Sequence, residues 1–300
     1  MASPTASAAA RLRTLLRQPG MLVAPGAYEC IGARVIEQAG FSAIYMTGAG
    51  TAATLGYPDY GLVTMSEMAD NAGRIAAAVR VPVIADADTG YGNELNVTRT
   101  VREYERRGIA GLHIEDQGFP KKCGHLDDKV VIPLDDYLAK IRAAAAAKTD
   151  PDFLLIARTD ARAVIGFEEA VRRMNAALAA GADMAFLEAP QTRDEVEAVP
   201  KLVKGPCLLN VVSGGKTPVL DLAYAERIGF KLAILPGILF QTAIDAFDAA
   251  LAEVKAQRRH PEMKVSLREK FRRVGADEWD PLRERFKAPA DGETKRSAAE

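Results

Sequence analysis

The sequence contains few cysteines and has almost no net charge. Its 300 residues include three cysteines, Cys30, Cys123 and Cys207, and this odd, widely spaced set argues against a disulfide framework. The cysteines therefore favour a reducing compartment, and the cytoplasm is the expected location. The 39 basic and 40 acidic residues leave a formal net charge of −1, which gives no strong field to attract nucleic acid or an anionic membrane. We expect a small-molecule partner, with no nucleic acid and no membrane.

Two further sequence signals are absent. No uninterrupted apolar run approaches the roughly 18 residues that are needed to span a bilayer. Residues 25–29, which follow the first predicted strand, read Pro-Gly-Ala-Tyr-Glu and lack the glycine spacing of a dinucleotide or phosphate loop. The sequence therefore disfavours an enzyme that uses nicotinamide or ATP. Residues 1–20 contain Ala, Ser and Arg but no acid, which faintly resembles a transit peptide, yet residues 11–16 favour a first helix.

Short apolar, β-branched segments alternate with longer segments of helical period. With 48% hydrophobic residues the chain can bury a full core. The eight strand candidates are Met21–Pro25, Ala43–Gly48, Val81–Asp88, Gly111–Gln117, Phe153–Asp160, Met184–Pro190, Cys207–Val212 and Lys231–Pro236. Strands that alternate with helices predict a parallel sheet, and eight such units predict an α/β fold of the closed (β/α)₈ TIM barrel type. The alternative fold is an open, doubly wound sheet.

The helical segments support the same architecture. Pro133–Lys148 has an apolar stripe formed by Leu134, Leu138, Ile141 and Ala145, and Phe167–Ala180 behaves similarly. Beyond the barrel, Lys264–Val274 predicts one more helix, followed by 275–286 with the only tryptophan, Trp279. The expected organisation is a barrel with an N-terminal helix over 1–260, a helical extension over 261–290 that packs on a partner subunit, and a disordered tail over 291–300.

Two carboxylates at the end of one predicted strand suggest a metal site. Asp86 and Asp88 are two residues apart, and barrel enzymes carry their chemistry at the C-terminal ends of strands. Oxygen ligands favour Mg²⁺, with Mn²⁺ as an alternative, whereas an isolated pair could also be solvated loop carboxylates. The glycines in 89–92 favour the metal, because they let a ligand approach the backbone. Glu115 on the next strand could hold a metal-bound water, while His113 is interpreted as a hydrogen-bonded barrel histidine.

Cys123 lies on a loop that contains glycine and lysine, whereas Cys30 and Cys207 are interpreted as core residues. Its neighbours Lys121, Lys122 and His125 would favour a thiolate. Such a side chain can be a nucleophile or a general acid that protonates carbon. No protease-like triad accompanies it, so we favour the acid.

Polar residues also end the next three strands. Arg158 suits a substrate carboxylate, although a structural Arg158–Asp160 pair is equally consistent with the sequence. Glu188 and Asn210 would complete a polar ring around the barrel mouth.

These residues resemble the isocitrate lyase/phosphoenolpyruvate mutase superfamily, and in particular its small lyase branch of methylisocitrate and 2,3-dimethylmalate lyases. The resemblance extends from Arg11 to Phe286. Its most specific motif is Lys-Lys-Cys-Gly-His at 121–125, which marks the carbon–carbon lyases.

The resemblance implies a role for each site residue. The implied metal residues are Asp86 and Asp88, which bind Mg²⁺ directly or through water, with Asp59 and Glu115 around them. The implied catalytic residues are Tyr45 as the base on the 2-hydroxyl, Cys123 as the acid, and Arg158 and Glu188. The implied substrate-binding residues are Thr47, Gly48 and Ala49 through their backbone, with Gly124, His125, Asn210, Ser213 and Gln241.

The resemblance also implies an assembly and a reaction. The last helix would be exchanged between subunits, which gives a homotetramer built as a dimer of dimers. The expected activity is Mg²⁺-dependent cleavage of a substituted malate into pyruvate and a simpler carboxylate. The alternatives are methylisocitrate lyase, oxaloacetate hydrolase or decarboxylase, and a phosphoenolpyruvate mutase-like enzyme, and outside enzymes a barrel that binds an organic di- or tricarboxylic acid.

Overall fold

The computed structural model of the chain describes residues 6–287, so the predicted tail at 291–300 lies outside the described residues. Eight parallel strands form its centre: β1 Leu22–Ala27, β2 Ile44–Met46, β3 Val83–Asp86, β4 Gly111–Glu115, β5 Leu154–Thr159, β6 Met184–Leu187, β7 Cys207–Asn210 and β8 Leu232–Leu235. Each strand pairs with the next, and β8 pairs with β1 in the register Leu22 to Leu232, which closes the barrel. The (β/α)₈ barrel is confirmed, and the open sheet is excluded.

Along the described residues, helices alternate with the strands and follow the last of them in the sequence. They are α1 Ala8–Arg17, α2 Cys30–Gln38, α3 Gly48–Thr54, α4 Met65–Ala78, α5 Glu94–Arg106, α6 Leu134–Ala147, α7 Ala161–Val164, α8 Phe167–Ala179, α9 Arg193–Leu202, α10 Leu222–Arg227, α11 Ile238–Gln257, α12 Leu267–Arg273 and α13 Ala276–Arg285. The predicted N-terminal helix is confirmed as α1. Leu12 of α1 is fully buried in the same cluster as Leu154 and Leu232 near the starts of their strands, so this helix closes the bottom of the barrel.

Alternation along the strands divides the core into two layers. Ile84 belongs to the cluster inside the barrel, while its neighbours Val83 and Ala85 belong to the cluster between strands and helices. Several strands end earlier than the sequence predicts. Asp88, for example, has a φ of 45°, which a strand residue cannot adopt, so β3 ends at Asp86. These early ends leave the polar residues on loops above the barrel.

One sequence expectation about packing is corrected, and another is extended. Cys207 is buried in β7 as expected, but Cys30 is only partly buried because it is the first residue of α2, where Glu29 caps the helix. Helix α6 has the predicted extent, yet its fully buried face contains Tyr137 and Ala144 in addition to Ile141. Tyr137 turns inward because its hydroxyl donates to the carbonyl of Arg158 at 2.7 Å.

The C-terminal part of the chain has few buried side chains. The chain divides into two compact units, and the second begins at Ala250. The predicted helix at Lys264–Val274 is confirmed as α12, and 276–285, which also lies in the predicted helical extension, forms α13. None of the residues of α11, α12 or α13 is buried. Within residues 6–287, no helix combines the length and apolar character needed to cross a membrane.

Candidate active site

A cavity of about 190 Å³ lies at the C-terminal ends of the strands. Twelve predicted site residues line it: Tyr45, Thr47, Ala49, Asp59, Asp86, Cys123, Gly124, His125, Arg158, Glu188, Asn210 and Gln241. Its remaining lining residues are not among the predicted site residues, namely Phe186, Val212, Pro236, Gly237 and Phe240. The volume is below the roughly 300–1,000 Å³ of drug-sized ligand pockets, so the cavity suits a small molecule.

Four predicted residues do not line this cavity. Asp88 and Glu115 lie behind it, in ion pairs with Lys121 and Arg158 respectively. The backbone N–H of Gly48 donates to Asp86 at 3.2 Å. Ser213 is exposed on the loop after β7, and its carbonyl accepts a hydrogen bond from the Gln241 amide at 3.3 Å.

Arg158 is held at the end of β5 by carboxylates on its own and neighbouring strands. Its guanidinium contacts Asp160 at 3.0 and 3.3 Å and Glu115 at 3.1 Å, so the structural pair considered from the sequence is present. The guanidinium also lies 5.1 Å from the ring centroid of Phe186. Burial lowers the pKa of Arg158, but Asp160, Glu115 and Glu188 together raise it well above the usual value. Arg158 is thus a fixed cation that lines the cavity.

Glu188 and Asn210 form a connected polar wall beside Arg158. The Asn210 amide donates to both Glu188 oxygens at 3.1 and 3.2 Å, and His125 Nε2 lies 3.0 Å from the same carboxylate. Although burial raises the pKa of Glu188, Arg158, His125 and Asn210 lower it below the usual value. Glu188 is therefore an ionised carboxylate, and it can orient Asn210 and His125 toward a ligand.

Tyr45 and His113 form a buried pair next to Asp86. The Tyr45 hydroxyl lies 2.8 Å from His113 Nε2 and 3.3 Å from Asp86 Oδ2. Burial lowers the pKa of His113 to about 4, so the imidazole is neutral at pH 7 and the interpretation of His113 as a hydrogen-bonded barrel histidine is confirmed. Burial, and then the charge of Asp86, raise the pKa of Tyr45 well above its usual value. The phenol is therefore protonated, with the Asp86 carboxylate as its acceptor and His113 Nε2 as a second hydrogen-bond partner.

The acidic cluster beneath the loop is crowded with negative charge. Lys121 pairs with Asp59 and, at 2.7 Å, with Asp88. Burial, followed by Asp86 and Asp59, raises the pKa of Asp88 to about 6 despite the charge of Lys121. Burial also raises the pKa of Asp86, but His113, Lys121 and Arg158 outweigh burial and lower it to about 2.

The chemistry of these side chains fits a hard cation. Among residues 6–287 no three potential ligands stand in the arrangement of a metal centre, because Lys121 lies between Asp59 and Asp88. Glu115 Oε1 is nevertheless buried without a polar partner, whereas Asp88 Oδ1 and Glu115 Oε2 lie 2.7 Å from Lys121 and 3.1 Å from Arg158, respectively. Carboxylate oxygens are the donors that Mg²⁺ prefers. The residues therefore fit the metal, and the four-residue metal set stays a prediction.

Cys123 is carried by the loop 118–130, whose central part lies over the cavity. Its backbone N–H donates to the Asp59 carbonyl at 3.1 Å. Burial, and then Asp59, raise the pKa of the thiol to about 11. The thiolate expected from the neighbouring lysines is wrong, because burial and Asp59 favour the neutral thiol and Lys121 is paired with carboxylates. A protonated thiol in the cavity is consistent with a general acid.

Comparison with known proteins identifies relatives along most of the chain. The Phosphoenolpyruvate phosphomutase family matches residues 12–255. A 2,3-dimethylmalate lyase of Eubacterium barkeri is 47% identical over 76% of this chain and 79% of the relative. A 2-methylisocitrate lyase of Aeropyrum pernix is 44% identical over 81% of this chain and 78% of the relative.

Solved structures agree with these sequence relatives. Oxaloacetate acetylhydrolase in complex with 3,3-difluorooxalacetate has a TM-score of 0.91 and 37% identity, covering 95% of this chain and 98% of that structure. Phosphonopyruvate hydrolase, solved with oxalate and Mg²⁺, has a TM-score of 0.85 and 31% identity, covering 94% of this chain and 99% of that structure.

Proposed function

The chain belongs to the phosphoenolpyruvate mutase/isocitrate lyase superfamily, and from this we propose that it is a Mg²⁺-dependent lyase that cleaves a substituted malate into pyruvate and a carboxylate. The lyase class follows from the relatives, because both curated proteins described above are lyases. One observation carries the proposal: the protonated thiol of Cys123 lines the same small cavity as the fixed cation of Arg158. A carbon–carbon lyase needs this combination, a carboxylate anchor beside an acid for carbon.

The side chains can divide the reaction between them. Arg158 and the backbone of 47–49 would hold the 2-oxo-acid half of the substrate. Tyr45 would take the proton of the 2-hydroxyl while passing its own proton toward His113 or Asp86, which lie within 3.3 Å of its oxygen. As the C2–C3 bond breaks, its electron pair stays on C3, and the Cys123 thiol would deliver a proton there.

Asp86 and Asp88 would hold Mg²⁺, with Asp59 and Glu115 around it. When it is bound, Mg²⁺ supplies a Lewis acid that stabilises the developing carbonyl and its adjacent carboxylate. The loop 118–130 would exclude water from the cavity, because Cys123, Gly124 and His125 all line it.

The walls of the cavity favour an alkyl substituent on the substrate. Phe186, Val212, Pro236 and Phe240 contribute apolar surface to its lining. Gln241, which also lines the cavity, is neutral and donates to a backbone carbonyl. The resemblance assigns an arginine to this position in methylisocitrate lyases, where it helps to bind a tricarboxylate. A dicarboxylate such as 2,3-dimethylmalate therefore fits this cavity better than 2-methylisocitrate.

We predict that a 2,3-dialkylmalate has a higher kcat/KM than 2-methylisocitrate, and that Gln241→Arg narrows the difference. A charge-assisted hydrogen bond to a carboxylate contributes roughly 1.5–3 kcal/mol, so the variant should gain about 10–100-fold on the tricarboxylate. The measurement is kcat/KM for both substrates in both proteins. A wild-type preference for 2-methylisocitrate of about tenfold or more would remove the Gln241 argument.

The proposed function is tested by assaying purified protein with Mg²⁺ against a panel of 2-hydroxy and 2-oxo diacids. The panel includes 2,3-dimethylmalate, 2-methylisocitrate, oxaloacetate and phosphoenolpyruvate, with the products identified for each. Pyruvate release from a substituted malate supports the proposal. Oxalate and acetate from oxaloacetate would instead favour a hydrolase, which the similarity to oxaloacetate acetylhydrolase makes the second candidate. Turnover of no compound, with binding retained, would indicate an organic-acid-binding barrel.

We also propose a homotetramer in which the C-terminal helices pack on a partner subunit. The side chains of Phe247 and Leu251 on α11 are 62% and 66% exposed, and those of Trp279 and Phe286 in the C-terminal segment are 70% and 75% exposed. Exposed aromatic side chains at this density are typical of protein interfaces. The exchange of the last helix and the tetramer rest on the family resemblance.

We predict that wild-type protein elutes as a tetramer in light-scattering chromatography and that Trp279→Glu together with Phe286→Glu lowers the oligomeric state. The charges would be buried in the proposed interface, which is unfavourable without partners. The control is Leu95→Glu, a substitution of an equally exposed side chain (73%) on α5. A wild-type monomer would contradict the assembly but leave the proposed reaction intact.

The proposed location is the cytoplasm. All three cysteines are free, which agrees with a reducing compartment.

A further inference from the structure

Lys129 is a buried lysine that the proposed reaction does not use. It lies near the end of the loop 118–130, and only 1% of its side chain is exposed. Its ammonium donates to the carbonyl of Gly124 and lies 3.1 Å from Asp160 Oδ1. A lysine is seldom buried to this degree unless its charge is paired, so these two contacts account for its position.

The partner of Lys129 on the barrel is a fixed carboxylate. Asp160 follows β5, and its two oxygens also contact the guanidinium of Arg158 at 3.0 and 3.3 Å. The backbone N–H of Asp160 donates to Asp116 at 2.8 Å, and Asp116 in turn pairs with Arg173 at 3.0 Å. Asp160 thus connects the loop lysine to the cation that lines the cavity.

The other partner of Lys129 is Gly124, where the loop approaches Arg158 and Glu188 closely. A Cβ atom at Gly124 would lie 2.5 Å from Arg158 Nη2 and from Glu188 Cγ. Only glycine allows so close an approach without displacing those side chains. Because Cys123 precedes Gly124 directly, whatever holds the Gly124 carbonyl also fixes the position of the thiol.

The two parts of the loop are held by different kinds of contact. At its base, backbone hydrogen bonds join Gly118 to Val130 at 2.8 Å and Ile132 to Asp116 at 2.9 Å. The segment 121–125, by contrast, is held largely by side-chain contacts: Lys121 pairs with Asp59 and Asp88, His125 contacts Glu188, and Lys129 donates to the Gly124 carbonyl. The Lys129 ammonium is the contact that holds the backbone at Gly124, so its loss should loosen the segment around Gly124 while the base stays paired.

We propose that Lys129 is a positioning residue for the reaction. Through the Gly124 carbonyl it holds 121–125 over the cavity, and through Asp160 it couples this arrangement to the orientation of Arg158. The proposal deepens the proposed function, since the positioned groups are its acid and its carboxylate anchor.

The test compares Lys129→Met with Lys148→Met. Lys148 is a matched control, because it also forms a partly buried ion pair with an aspartate, Asp183 at 3.1 Å, but precedes β5 at the opposite end of the barrel. Amide hydrogen exchange is measured for 121–126, where the Cys123 and Leu126 amides are hydrogen-bonded. We expect about tenfold or greater acceleration in Lys129→Met and none in Lys148→Met, since a charged hydrogen bond corresponds to roughly 10–100-fold.

Kinetics on the best substrate provide the second readout. In Lys129→Met, kcat should fall roughly 10–100-fold with a smaller change in KM, and Lys129→Arg should recover part of the loss. Asp160→Asn is the second variant in case Lys129→Met does not fold, and it should accelerate the same exchange and also raise KM through Arg158.

The outcomes separate this proposal from the proposed function. Unchanged exchange at 121–126 in Lys129→Met, or in Asp160→Asn if the former does not fold, overturns the claim that Lys129 holds this segment over the cavity. Accelerated exchange with unchanged kcat shows a structural contact only and overturns the positioning role. If the wild-type protein cleaves no substrate on the panel, the proposed function fails. The exchange result still decides whether Lys129 holds the segment 121–125 in place.

Discussion

Replacement of Cys123 by serine is expected to slow carbon–carbon cleavage by about 10²–10⁴-fold, the usual contribution of a positioned general acid. The thiol lines the cavity beside Arg158, and its pKa of about 11 keeps it protonated at neutral pH. A serine hydroxyl is a much weaker acid than a thiol, yet it occupies a similar volume. The variant should therefore bind the products with unchanged affinity while kcat falls.

The measurement is kcat together with the dissociation constant of a product such as pyruvate. Cys30→Ser is the control, because Cys30 is a partly buried thiol that does not line the cavity. A rate for Cys123→Ser close to that of the wild type would show that another group protonates the carbon.

Replacement of Asp88 by alanine is expected to reduce turnover by at least about 10²–10³-fold, as removal of one electrostatic contact to the transition state commonly does. Asp88 is a buried carboxylate within the acidic cluster and is proposed to hold the metal. Excess chelator should have the same effect on the wild-type protein. Full activity in excess chelator would contradict the proposed metal requirement.

The loss should not come from unfolding. Burial and the neighbouring Asp86 and Asp59 raise the pKa of Asp88 to about 6, so ionisation of this carboxyl lowers the free energy of unfolding as the pH rises from the usual aspartate pKa to about 6, and the loss is complete above it. Removing the charge should leave the free energy of unfolding at pH 7 unchanged or higher. Because Asp88 has a φ of 45°, Asp88→Asn is the better test of stability, since asparagine tolerates this conformation. Asp70→Ala, on the outer face of α4, is the control for both assays.

The barrel could be predicted because each strand is a local apolar run with a polar end. Val81–Asp88, for instance, contains both β3 and the two aspartates that follow its apolar part. The same logic places Arg158 and Glu188 at the mouth, since parallel strands bring their C-terminal ends together. The exact strand ends could not be predicted, because they depend on backbone angles such as that of Asp88.

The parts of the site that escaped prediction depend on pairs of residues that are distant in sequence. In the sequence, Lys129 is indistinguishable from other lysines of the loop. Its partner Asp160 lies 31 positions later and is brought beside it only by the fold. The same holds for Lys121. Its nearness to Cys123 in the sequence suggests a thiolate, but in the structure its ammonium pairs with Asp59 and Asp88. The sequence shows which charged residues lie near one another along the chain. It does not show which of them form ion pairs in the folded protein.

The apolar wall was missed for a different reason. Phe186 and Val212 lie in or just after strands, where apolar side chains are expected in any barrel. Only their position in the lining of the cavity, where Phe186 also packs against Arg158, distinguishes them from core residues.

The most direct test of the central claim is cleavage of 2,3-dimethylmalate in ²H₂O, followed by NMR of the products. A lyase with a thiol acid should release pyruvate and propionate in equal amounts, with one deuterium on C2 of propionate, because the thiol proton exchanges with solvent. This result is expected in the presence of Mg²⁺ and not in excess chelator. No pyruvate with Mg²⁺ present, or equal activity in chelator, would contradict the account.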